Sequence, residues 1–166
     1  HASYRRQRQM CIRDRKSLQD IHAPKSICFG CGPMNENGLK IKSYKYKNGL
    51  KMNFHPKKEH QAFPGVVNGG IIGTLFDCHG NWTAAMSIFE SNNQKQFPAT
   101  VTAFFEVQLL KPTPVDTKIE IFSQIITSSK NKAKVELELF SKNDICAKSI
   151  GVFVSVKEGH PAFYRW

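Results

Sequence analysis

Hydrophobic side chains recur along this chain with two different periods. Between residues 133 and 140, Ala133, Val135, Leu137 and Leu139 alternate with Lys134, Glu136, Glu138 and Phe140. That is the period of a strand with one face buried. Between residues 69 and 89, Ile71, Ile72, Leu75, Phe76, Trp82, Met86 and Phe89 return at helical spacing, which predicts one long helix. Further strands are predicted over 39–47, 50–55, 100–110, 117–127 and 145–156. The first two flank Asn48-Gly49, a pair suited to tight hairpin turns, and the third is bounded by Pro98 and Pro112. Residues 16–38 are rich in Gly, Pro and Asn and read as a leader, and residues 56–68 read as a loop. Two short strands, one helix and four longer strands with short connections predict a mostly antiparallel sheet covered by one helix, an α+β domain.

The helix has two unlike faces. Ile71, Leu75, Trp82, Met86 and Phe89 share one side, and His79 falls within that apolar sector. Asp77 lies opposite, with Gly70, Gly73, Gly80, Asn81 and Ala84 around it. Small residues let a backbone, a ligand or a second subunit come close. Each interior glycine lowers helix propensity by about 1 kcal/mol, so Gly69, Gly70, Gly73 and Gly80 imply a competing constraint. Asn68 suits the N-cap, and the N–H groups of Gly69, Gly70 and Ile71 have no partner inside the helix. Lying at the positive end of the helix dipole, such donors can stabilise the oxyanion of an attacked carbonyl. His79 is two residues from Asp77 and does not face it; it reads as a buried histidine bonded to backbone.

The stretch Asn68-Gly69-Gly70-Ile71-Ile72-Gly73-Thr74-Leu75-Phe76-Asp77 resembles the His-Gly-Gly…Asp signature of hotdog-fold thioesterases, in particular their phenylacetyl-CoA thioesterase-like and THEM-type branch. Cys28-Phe29-Gly30-Cys31-Gly32, Asn37-Gly38-Leu39, His60-Gln61-Ala62-Phe63-Pro64-Gly65 and the segment from Val101-Thr102 to Leu110-Lys111-Pro112 resemble the same branch in the same order. The resemblance covers most of residues 28–156. It implies a hotdog fold, a curved sheet wrapped around one long central helix, occupying residues 39–157 after the 16–38 leader and before a 158–166 tail. It implies hydrolysis of an acyl-CoA or acyl-carrier thioester. Asp77 matches the general base or nucleophile, Gly70 the backbone donor to the thioester oxygen, and Thr102 the hydroxyl that positions water. It also implies a homodimer, and further a dimer of dimers, with the site across the interface, where Asp77 and Thr102 can come from different chains. No metal or redox cofactor is implied.

Asn68 departs from the pattern, because histidine is usual there and asparagine does not titrate near neutral pH. The departure keeps open a second reading, a non-catalytic acyl-CoA or lipid-binding protein. A hotdog hydratase is disfavoured, since no Asp/His pair shares one helix face. Gly69 at the helix start and Asn81 on the Asp77 face are candidate substrate contacts. His60 reads either as lining the substrate entrance or as a surface histidine. Lys111 reads either as meeting carrier phosphates or as solvated charge.

Composition changes this picture at three points. The formal net charge is +11, and five of the six arginines lie in residues 1–15, whereas the body uses lysine. That break marks residues 1–15 as a non-native segment, the rivals being a basic nucleic-acid arm or a transit peptide. The body is still basic, which suits an anionic carrier; no aromatic-basic motif supports nucleic acid. No apolar run reaches membrane-spanning length. The five cysteines are odd in number and form no disulfide framework, so free thiols and a reducing cytoplasmic or organellar setting are expected. Cys28 and Cys31 have metal-ligand spacing, but without a second pair they read as a turn rather than a metal or redox site, and Cys78 reads as core.

Overall fold

The computed structural model describes residues 16–166; the reading of residues 1–15 as foreign lies outside the described residues. Helix α1 (Leu18–His22) opens the described chain, and strands β1 (Tyr44–Tyr46) and β2 (Gly49–Phe54) follow. A single 3-10 turn (Lys58–His60) leads into the short ribbon β3 (Gln61–Phe63) and β4 (Val66–Val67). The long helix α2 spans Gly69–Ser91, and β5 (Thr100–Leu109), β6 (Ile119–Ser128), β7 (Lys132–Ser141) and β8 (Asp144–Ser155) complete the order. One six-stranded sheet runs β1-β2-β6-β7-β8-β5, antiparallel at every pairing, and α2 packs on one face of it.

The predicted alternation in β7 holds: Ala133, Val135, Leu137 and Leu139 are buried, and they meet Leu75, Trp82 and Ile88 of α2 in one core. Val135, Leu137 and Leu139 each contribute about 1.5–3 kcal/mol by leaving water. The first predicted strand is shortened from 39–47 to Tyr44–Tyr46 because its backbone is used elsewhere. Leu39 and Ile41 donate to the carbonyls of Phe29 and Gly30, Lys40 has φ +52°, and the Ser43 N–H is taken by the Gln19 side chain. The hairpin after it turns on Lys47-Asn48 rather than Asn48-Gly49, since Tyr46 pairs with Gly49. Gly49 serves another end: a Cβ there would stand 1.8 Å from the Ser123 carbonyl oxygen, so its absence lets β2 close on β6.

The leader is no loose extension. Ser17 caps α1 by accepting from the Asp20 N–H at 3.2 Å, and Leu18, Ala23 and Cys31 belong to the main core. The tail packs as well: Trp166 lies 4.4 Å from Trp82, ring to ring, and its indole N–H donates to the Pro98 carbonyl. Among the described residues no helix is long and apolar enough to cross a membrane.

Candidate active site at the start of the central helix

The helix start is built by side chain and loop together. The Asn68 N–H donates to the His60 carbonyl at 2.8 Å, which fixes how the chain enters α2. Asn68 Oδ1 then accepts from the Gly70 N–H at 2.7 Å, an N-cap bond. The N–H groups of Gly69 and Ile71 have no hydrogen-bond partner among the described residues. Gly70, read as an oxyanion donor, therefore has its N–H occupied by a carboxamide oxygen, itself a carbonyl.

Two turns further on, half-buried Asp77 receives a hydrogen bond from Thr102 Oγ1 at 2.5 Å on Asp77 Oδ1. Both residues belong to one chain, so this bond forms within the subunit. The reason is the sheet order, which lays β5 at the edge beside α2. The register of β5 on β8 shifts between Thr102 and Phe104, and a bulge of this kind re-aims side chains beside a site.

Asn81 is not on an open Asp77 face. It is buried, accepts from Thr100 Oγ1 at 2.5 Å, and its amide donates to the Thr100 carbonyl at 3.4 Å. It acts through β5, holding the strand two residues from Thr102. Gly80 and Ala84 are likewise buried; a Cβ on Gly80 would stand 2.7 Å from the Phe153 ring. The first half of the same stripe is different. A Cβ on Gly73 would meet nothing within 4 Å, and one on Gly69 would touch only the Leu109 side chain.

The remaining candidates sit apart from this pair. His60 stacks on Phe54 and its Nδ1 accepts from the Lys57 N–H, so its ring braces the loop while its carbonyl holds Asn68. Lys111 is exposed and pairs with Asp144 at 3.2 Å. His79 is fully buried, as expected, but its ring bonds to serine hydroxyls, Ser43 at 2.8 Å on Nδ1 and Ser123 at 3.3 Å on Nε2. Burial lowers its pKa from 6.5 to about 3, so the ring is neutral. Cys78 lies in the core, as expected, but its neighbours went unread: its thiol lies 3.9 Å from that of Cys28, and with Cys31 the three sulfurs fall within 4.8 Å of one another. The contact spans fifty positions, and only the helical phase of Cys78 could have hinted at it.

No protein-family model matches the chain, and no curated protein matches it. Solved structures do. A thioesterase superfamily protein from Shewanella loihica PV-4 is 32% identical, with a TM-score of 0.60, over 70% of this chain and 91% of the other. The chain belongs to the thioesterase superfamily. The fold of this thioesterase-superfamily chain, a six-stranded antiparallel sheet with one long helix, is the hotdog fold its neighbours share. The Escherichia coli PaaI protein from the phenylacetic acid degradation operon has a TM-score of 0.61 at 13% identity, over 72% of this chain and 81% of that one. A hypothetical thioesterase with coenzyme A from Streptococcus pneumoniae TIGR4 has a TM-score of 0.59 at 14% identity, over 70% and 85%.

Proposed function

We propose that the chain hydrolyses an acyl-CoA-type thioester, with Asp77 as general base. The observation that carries this reading is the Thr102–Asp77 hydrogen bond on a helix whose neighbouring small-residue face is open. Thr102 holds one carboxylate oxygen and leaves the other to take a proton from water. The water oxygen attacks the thioester carbon, its proton passes to Asp77, and the negative charge moves to the carbonyl oxygen. That oxygen displaces the Asn68 carboxamide from the Gly70 N–H, with Gly69 beside it as a second donor. The carbon–sulfur bond then breaks, and the leaving thiolate recovers the proton from Asp77.

The working unit in this reading is a homodimer, from which a dimer of dimers can form. β5 is a ten-residue edge strand with Phe104 52% and Leu109 58% exposed, and a long apolar edge calls for a partner. A second copy laid along β5 would close the face that holds Gly69, Gly73 and Asp77. The free thiols at Cys28, Cys31, Cys78 and Cys146 fit a reducing compartment. A basic surface suits the phosphates of a CoA or carrier thioester; Lys111 gains that role only by leaving Asp144.

One observation favours a second reading, acyl-thioester binding without turnover: the Gly70 N–H is capped by Asn68, a residue unable to relay a proton. Free thiol released from a panel of acyl-CoA substrates separates the two. The expected result is turnover that Asp77→Ala lowers by at least about a hundredfold. Binding without thiol release across the panel supports the second reading, and an undiminished Asp77→Ala protein overturns the first.

A further inference from the structure

The Cys28-Phe29-Gly30-Cys31-Gly32 loop folds back on itself and docks on α2 at Cys78. The Gly32 N–H donates to the Cys28 carbonyl at 2.8 Å, and a Cβ on Gly32 would stand 2.4 Å from the Cys28 nitrogen. Gly30 is pressed on the helix: a Cβ there would stand 2.3 Å from Cys78 Sγ. Glycine at both positions brings the loop close enough for three sulfurs to meet. A tetrahedral zinc with sulfur ligands at about 2.3 Å separates those sulfurs by about 3.8 Å. The Cys28–Cys78 separation is 3.9 Å, and the whole set lies within 4.8 Å. A disulfide would need about 2.05 Å instead.

One donor already points at the cluster. Cys31 Sγ accepts from the Trp82 indole N–H at 3.2 Å, with Trp82 fully buried. Cys31 and Cys78 are buried, whereas Cys28 is half-exposed and gives the cluster its opening to solvent.

We infer that Cys28, Cys31 and Cys78 form a three-thiolate site for a soft divalent metal ion of the zinc class, with water at the fourth position beside Cys28. The ion staples the leader loop to α2 one residue from Asp77. It is a structural ion, and thioester hydrolysis needs no step through it.

The test uses the full chain in a Cys11→Ser background, its thiols reduced and titrated before cobalt(II) or zinc(II) is added. The expected result is a cobalt–thiolate charge-transfer band saturating at about one equivalent per chain, displaced by zinc, with a zinc-dependent rise in Tm. Cys28→Ser on the half-exposed loop and Cys78→Ser on the helix each weaken uptake at least about tenfold, while Cys146→Ser leaves it unchanged. Circular dichroism confirms that each variant is folded, and Cys28→Ser carries the conclusion where Cys78→Ser is not. A fully reduced parent that gives no band overturns the proposal, as does a folded Cys28→Ser chain with the parent's affinity.

Discussion

From Gly69 to Asp77, α2 presents Gly73 to open space and a carboxylate held by one threonine. From Cys78 to Met86 every residue of the same helix is buried. Both halves carry polar side chains, and both continue one stripe of small residues. The difference is what the sheet does beside them. Along the second half Phe153 fills the space over Gly80, Thr100 takes Asn81, and Ser43 and Ser123 take His79. Along the first half that space is left open at Gly73. Burial with complete hydrogen bonding makes a polar residue part of the scaffold, whereas half-buried Asp77 keeps one carboxylate oxygen without a hydrogen-bond partner among the described residues.

The contrast can be broken most forcefully at His79. His79→Leu strips a partner from Ser43 and Ser123, and urea unfolding should show a loss of about 3 kcal/mol with turnover per folded molecule retained. Acid tests the same residue. Its folded pKa of about 3 lies below the ordinary 6.5, so its contribution is fully present above pH 6.5 and is lost as pH falls toward 3. The slope should reach up to about 1.4 kcal/mol per pH unit and flatten in His79→Leu. Gly80→Ala comes next: a Cβ 2.7 Å from Phe153 should cost about 2 kcal/mol in the same assay. Asn68→Ala removes the cap on Gly70 and should cost about 1 kcal/mol. Gly73→Ala, in open space, should gain between about 0.5 and 1 kcal/mol. Equal losses at Gly73 and Gly80 would erase the distinction between the halves.

Much of this was readable along the chain. The alternation from Ala133 to Leu139 and the helical return from Ile71 to Phe89 placed the main strand and the helix within two residues of their ends. Asn68 announced its cap, and the family resemblance singled out Asp77 and Thr102 separately but not the hydrogen bond between them. The setting of Asn81 was not legible, because a wheel assigns faces but does not know which neighbours fill them. The sheet wraps the second half of the helix, so a residue in phase with Asp77 meets Thr100 rather than a ligand. The shortened first strand was equally hidden, since Leu39 and Ile41 spend their backbone donors on the leader. The meeting of Cys28 with Cys78 depends on the leader docking on the helix, and local pattern carries no information about such a contact.

The central claim is that the open half of α2 carries chemistry through Asp77. Thiol release by Asp77→Asn against the parent, on the best acyl-CoA substrate and at matched folded concentration, tests it most directly. The expected result is a fall in kcat of about a thousandfold with urea stability unchanged within about 1 kcal/mol, because the amide keeps the Thr102 contact but takes no proton from water. Parental kcat in Asp77→Asn would contradict it.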